Sequence, residues 1–197
     1  MDLYAKAERR KERERELAAR ITALPQRRYG LILADPEWKW RPYHEVTGGS
    51  RSASNHYPVS DTAVIAARQV ESIAAHDCIL FLWAIGSMLP EALQVMGAWG
   101  FTYKSNLVWV KDRQGTGFWN RARHELLLIG TRGHPVAPAL GTQLPSVIEA
   151  PRRAHSEKPE LVAKWIERIW PNTPKIELNR RGPPRPGWDA WGNEVEP

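Results

Sequence analysis

Apolar and polar positions along the chain alternate between two periods. Runs rich in aliphatic, β-branched and aromatic residues occur at Tyr29–Ala34, Ile79–Ala84, Lys104–Val110, Glu125–Gly130, Ser146–Glu149, Lys175–Leu178 and Trp188–Trp191, and they predict strands. Between them a helical period predicts helices over 61–75 after Ser60 or Asp61, over 89–98 with Pro90 in the first turn, and over 157–169 after Ser156, stopped by Pro171. Several of the strands are apolar on both faces. Strands of that kind alternating with helices predict an α/β fold whose mostly parallel sheet is covered on both sides.

Residues 5–24 differ from the rest. They are strong helix formers of both charge signs, with Arg10/Glu14 and Glu16/Arg20 at i,i+4 spacing, and an apolar face appears only at Leu17, Ile21 and Leu24, before Pro25. The pattern predicts a charged helical extension over 1–28, either a solvated helix docked by its last turns or an arm that touches a partner or phosphates. Residues 29–197 then form the main domain.

Composition narrows the class. With 197 residues, 42% of them hydrophobic and 25% charged, the chain has the make-up of an ordinary globular domain, with no apolar run long enough to span a membrane. The charged N-terminus carries no apolar signal core, which predicts a cytoplasmic protein. A single cysteine, Cys78 in "HDCILFLW", excludes an internal disulfide and a cysteine-based zinc cluster, and reads as a small core residue. The six histidines show no HExxH or paired ligand spacing, so no metal is expected. A formal net charge of +6 favours a polyanionic partner, because neutralising phosphates releases condensed counterions.

Two stretches interrupt the strand and helix alternation. "KWRPYHEVTGGSRSASNHYPVS", residues 39–60, and "KDRQGTGFWNRARH", residues 111–124, are long, cationic and interleaved with Tyr43, Tyr57, Phe118 and Trp119. Long loops inside a domain commonly carry function, and cations alternating with aromatics suit splayed bases and phosphates. Lys111, Arg113, Trp119 and Arg121 are therefore candidate substrate contacts.

In an open parallel sheet, ligands bind beyond the carboxyl ends of the strands. "LILADPEWKW", residues 31–40, ends an apolar run in Asp35-Pro36-Glu37-Trp38, which by itself is also a common turn. Its chemistry is nonetheless specific. An Asp oxygen and a backbone carbonyl can together accept both protons of an exocyclic amine, while the Trp face stacks on the ring that bears it.

That string, followed in order by "FLW" at 81–83, "WGF" at 99–101, "VWVK" at 108–111, "HELLLIGTRG" at 124–133, "HSEKP" at 155–159, "KIEL" at 175–178 and "GWDAWGNEV" at 187–195, resembles the MT-A70 family of N6-adenine methyltransferases. The resemblance covers roughly residues 29–195. It implies a seven-stranded Rossmann-like methyltransferase fold, S-adenosylmethionine as cofactor and adenine in a nucleic acid as substrate. Carried over position by position, Asp35 and the Pro36 carbonyl accept the N6 amine protons and Trp38 lines the base pocket. Ser156 and Lys158 lie by the methionine part of the cofactor, with Lys158 pairing its carboxylate. Glu177, Leu178, Arg181, Asn193 and Glu194 surround its ribose and adenine. Tyr57 matches an aromatic residue of the mobile loop, and Glu125 an acidic residue facing the acceptor base. Ser156 can equally serve as a helix N-cap. Lys158 is unfavourable for the dipole of a first helical turn, which points to a functional reason for a lysine there. Trp188 and Trp191 read as packing residues.

The chain departs from the family pattern twice. Glu37 stands where the catalytic motif usually has a second proline, and Asn179 where a phenylalanine usually follows Glu-Leu. Glu37 either weakens the rigid turn or places a second carboxylate near the amine or a loop arginine. Asn179 exchanges apolar contact beside the cofactor for hydrogen bonding. The compact form resembles bacterial and phage members acting on DNA, with RNA as the alternative polymer and an inactive nucleic-acid-binding partner subunit as the alternative class. A nicotinamide oxidoreductase is disfavoured because no GxGxxG turn follows the first strand. A homodimer is compatible with such a chain, and no membrane partner is expected.

Overall fold

A computed structural model describes residues 23–39, 60–115, 119–152, 157–192 and 194–195. The charged helix expected over 5–24 lies almost wholly outside the described residues, as do Tyr57, Ser156 and Asn193.

Nine strands and four α-helices are described. In chain order they are β1 (Tyr29–Ala34), α1 (Thr62–Ala66), α2 (Val70–Ile73), β2 (Ala74–Ile85), α3 (Leu89–Ala98), β3 (Thr102–Val110), β4 (His124–Arg132), β5 (Val147–Glu149), α4 (Glu160–Ile169), β6 (Lys175–Leu178), β7 (Arg181–Gly182), β8 (Asp189–Trp191) and β9 (Glu194–Val195). Seven strands form one sheet in the order β5-β3-β4-β2-β1-β6-β8, and β7 pairs with β9 separately. Every neighbouring pair in the large sheet is parallel except β2/β4 and β3/β4, so β4 alone runs backwards. This is the mostly parallel, helix-covered α/β sheet expected from the apolar pattern.

Period-2 alternation sorts the core into two layers. Ile32 and Ala34 of β1 with Cys78, Leu80, Leu82 and Ala84 of β2 face Ile65, Val70, Val95, Met96 and Trp99 from α1, α2 and the end of α3. Leu31, Leu33, Ile79, Phe81 and Trp83 face the opposite side, against Val162, Trp165, Ile166 and Trp170 on and after α4. Both faces of the central strands are thereby removed from water, which is why β1 shows no polar stripe. Cys78 is fully buried, and burial pushes its thiol up to about 12. Trp188 and Trp191 are core residues of the two layers, as their spacing suggested.

Two helix expectations are corrected. The segment 61–75 is two short helices broken at Ala67–Gln69, and β2 begins at Ala74, five residues before the expected Ile79. The break coincides with Arg68, whose side chain turns back to the end of β1. The helix expected over 157–169 starts at Glu160, with Pro159 at its N-cap position, so Lys158 precedes the helix.

Candidate active site

The chain leaves β1 toward β2 on one side and later returns to place β6 on the other, so strand order reverses at the carboxyl end of β1. Such a switch point opens a crevice between two neighbouring strand ends. Asp35 follows β1 there, its backbone N–H donating to the Leu178 carbonyl at the end of β6 (3.3 Å). The reversed strand β4 delivers its first residues to the same edge where the parallel strands deliver their last, which brings Glu125 across from Ile85 and Trp109.

The side chains converge on a cleft of about 330 Å³ lined by Leu33, Asp35, Trp83, Lys158, Glu177 and Asn179, among others. Lys158 Nζ donates to Asp35 Oδ2 at 2.7 Å and lies 3.5 Å from Glu125 Oε2, while Lys111 pairs with the other oxygen of Glu125. The two ammonium groups also sit over indole rings, Lys158 at 5.8 Å from Trp83 and Lys111 at 4.9 Å from Trp109. Carboxylates and ammonium groups thus alternate in the order Asp35, Lys158, Glu125, Lys111. Burial raises the Glu125 carboxyl, but the charges of Lys158 and Lys111 outweigh it and hold it below the ordinary carboxylate value.

At the other end of the cleft Glu177 accepts from Arg185 Nε (2.9 Å), and the same guanidinium grips Glu160 on α4 through both terminal nitrogens. Arg180 adds longer contacts of 3.4 and 3.5 Å to Glu177. Sequence reasoning missed Arg185 and Glu160. The only signal was the arginine-rich "NRRGPPR" beyond β6, which carries no indication of which arginine turns inward.

Within Asp35-Pro36-Glu37-Trp38 the Trp38 N–H donates to the Pro36 carbonyl (2.9 Å), a tight turn of the γ type. Trp38 does not stand open beside the cleft. It is 7% exposed, packed in the core, with its indole N–H donated to the Trp83 carbonyl at 2.9 Å. Glu37, a catalytic candidate by position, points instead at Arg68. Its carboxylate accepts from Arg68, from Ser60 Oγ (2.6 Å) and from Asn179 Nδ2 (2.7 Å). Burial raises its pKa, but Arg68 outweighs that and holds the carboxyl low. The two departures from the family pattern are therefore bonded to each other, and the arginine alternative for Glu37 is the one observed. Arg68 was not singled out from the sequence.

Asp35, Lys158, Glu177, Leu178, Asn179, Glu125 and Lys111 are thus gathered at one edge of the sheet. Arg113, Trp119 and Arg121 lie on the excursion between β3 and β4, which leaves from that edge. Trp119 is fully exposed, Arg121 Nε donates to the Gly115 carbonyl (2.9 Å), and Arg113 lies 3.6 Å from Asp112. Backbone bonds from Lys111 to Arg123 and from Gly115 to Ala122 extend the two strands into an arm. Arg181 and Glu194 pair through their backbones as β7 and β9, their side chains lying outside the described residues.

The MT-A70 family model matches residues 29–194. The chain belongs to the MT-A70 family. Among its relatives are the Type II methyltransferase M.MunI of a Mycoplasma species, 30% identical over 98% of this chain and 89% of that protein, and the N(6)-adenosine-methyltransferase catalytic subunit METTL3 of Homo sapiens, 28% identical over 86% of this chain. An N(6)-adenosine-methyltransferase MT-A70-like protein of Arabidopsis thaliana is 28% identical over 85% of the chain. The chain spans 28% of METTL3 and 24% of the Arabidopsis protein. Membership of the MT-A70 family carries with it the adenine-N6 methyltransferase class and S-adenosylmethionine as methyl donor. Among the described residues no helix is long and apolar enough to cross a membrane.

Proposed function

We propose that this MT-A70 protein methylates N6 of adenine in DNA, with Asp35 as the residue that receives the amine. One observation carries the reading: the Asp35 carboxylate stands at the strand-order reversal, on the wall of a cleft whose donor set suits a nucleoside joined to an amino acid. Lys158 offers a cation for a carboxylate, Glu177 a carboxylate for ribose hydroxyls, and Leu33 and Trp83 an apolar wall. A cleft of this size lies at the lower end of the roughly 300–1,000 Å³ usual for small-molecule sites. When bound there, S-adenosylmethionine supplies a methyl group already activated by its sulfonium centre.

The protein's own task is to orient the amine and exclude water. The lone pair of an adenine N6 is delocalised into the ring. Asp35 Oδ and the Pro36 carbonyl accept its two N–H bonds, drawing the nitrogen toward a tetrahedral, more nucleophilic geometry and offsetting the positive charge that grows on it. The Pro36 oxygen already accepts the Trp38 N–H, and its second lone pair serves the amine. Asp35 or water takes the proton after transfer. Lys158, 2.7 Å from Asp35, would hold the carboxylate of the cofactor.

N6 is buried in a duplex, so the base must leave the stack at a cost of a few kcal/mol, roughly. The β3–β4 arm offers Trp119 for stacking and Arg113 and Arg121 for phosphates, while Lys111 stays paired with Glu125. A nearly full-length match to a Type II methyltransferase supports DNA over RNA. The inactive-subunit alternative drew on Glu37, and a Glu37 neutralised by Arg68 no longer favours it. The test is methyl transfer to unmethylated duplex DNA, single-stranded DNA and RNA in separate reactions, each digested to nucleosides for mass spectrometry. N6-methyldeoxyadenosine from DNA is the expected product; product from RNA alone would replace the polymer, and none from any of the three would overturn the reading.

A further inference from the structure

We infer that Arg68 is a positioning residue for the transfer reaction, a clamp that holds the Asp35-Pro36 turn in register with the cofactor cleft. The inference rests on the methyl-transfer reading above. Arg68 Nη1 spans Glu37 Oε2 (3.2 Å) and Asn179 Oδ1 (3.3 Å), its other terminal nitrogen pairs with Glu37 Oε1, and Asn179 Nδ2 closes the triangle on Glu37 Oε2 at 2.7 Å. Arg68 and Glu37 are about one-tenth exposed, so this is a nearly dry ion pair with hydrogen bonds at every corner.

Each corner belongs to a different part of the site. Glu37 adjoins the Pro36 carbonyl, and Asn179 lines the cofactor cleft. Ser60 binds Glu37 twice, through Oγ and by its backbone N–H to the Glu37 carbonyl (2.9 Å), so the far end of the 39–60 segment is tied to the same point. Arg68 also lies over the Trp191 ring at 5.5 Å, and Trp191 accepts the Asn179 N–H at 2.6 Å. Asn179 itself has φ of 63°, a conformation that asparagine tolerates better than most side chains. A proline at position 37 would stiffen the turn covalently. Here stiffness comes from a planar, five-donor guanidinium, carried at the break between α1 and α2. The full pairing of Glu37 has a second consequence: its carboxylate does not compete with Asp35 for the amine.

The test compares wild type, Arg68→Ala, Arg68→Lys, Glu37→Gln and the double variant Arg68→Ala/Glu37→Gln. Steady-state transfer and calorimetric affinity for S-adenosylmethionine are measured on each. A loosened turn displaces the amine acceptors, so Arg68→Ala is expected to lower kcat about 10- to 100-fold with cofactor affinity within about threefold, since misplacement by 1 Å costs roughly that much. Arg68→Lys should recover little, because an ammonium cannot bridge Glu37 and Asn179 in one plane. The double variant should be no worse than the worse single, as expected for one network. Unchanged kcat in Arg68→Ala, or losses that multiply in the double variant, would overturn the clamp. An inactive wild type would overturn the methyl-transfer reading instead, and amide hydrogen exchange then judges the clamp separately. Arg68→Ala must speed exchange at the Trp38 and Ser60 amides while leaving Leu31–Ala34 unchanged; equal exchange at Trp38 and Ser60 overturns it.

Discussion

Replacing Lys158 by methionine removes one charge from the center of the Asp35–Lys158–Glu125–Lys111 series while keeping the side-chain volume over Trp83. Asp35 loses a partner at 2.7 Å, and Glu125 loses one at 3.5 Å but retains Lys111. Side-chain exposures of 17% for Lys158, 29% for Asp35 and 12% for Glu125 put the group between buried and surface pairs. Removing one partner of a fully buried pair costs about 3–5 kcal/mol. The residual exposure of Asp35 lowers the expectation here to roughly 2–3 kcal/mol at neutral pH. The sign follows from Glu125, whose folded pKa is depressed. The stabilisation from Lys158 is complete above the ordinary carboxylate value and is lost as pH falls through the folded one. Urea denaturation across the acid range should therefore show wild type and Lys158→Met separated at neutral pH and merging in acid. Calorimetry should show weaker S-adenosylmethionine binding by about 10- to 100-fold, the worth of one charge-assisted hydrogen bond. A constant gap at every pH, or an unchanged dissociation constant, would refute the reasoning.

Trp119→Ala should leave the denaturation midpoint unchanged, because the side chain is fully exposed, yet weaken DNA binding by about 1–3 kcal/mol as measured by fluorescence anisotropy. Trp99→Ala removes a fully buried indole whose N–H bonds the Ile65 carbonyl at 3.0 Å; it should cost about 3–5 kcal/mol in a chemical-denaturation curve. Glu37 is also held low by Arg68, so Glu37→Gln should lose roughly 3 kcal/mol at neutral pH and flatten the acid limb of the stability curve, with urea midpoints against pH as the readout.

Much of the architecture was legible because burial on both faces leaves a mark in the residues themselves. Leu31 to Ala34 have no polar alternative to the core, and Asp35 is the first side chain able to meet solvent or ligand. The direction of β4 was not legible, since an apolar run reads the same in a parallel or an antiparallel neighbour. The break at Arg68 was hidden for a different reason. Ile65, Val70 and Ile73 continue an apolar pattern across it, and the partner of Arg68 lies 31 positions away. Lys158 was assigned to the cleft by motif, but its contact with Asp35 spans 123 positions and depends on where α4 begins. Ligand-facing chemistry that rests on strand ends could thus be read locally, whereas the groups that hold it in place could not.

The central claim is that Asp35 receives the amine and is not needed to bind the cofactor. Its most direct test is single-turnover methyl transfer by Asp35→Ala beside wild type, with product nucleosides quantified by mass spectrometry and S-adenosylmethionine affinity measured on the same preparations. The account predicts cofactor binding close to that of wild type and no N6-methyladenine from the variant. Turnover retained by Asp35→Ala would contradict it.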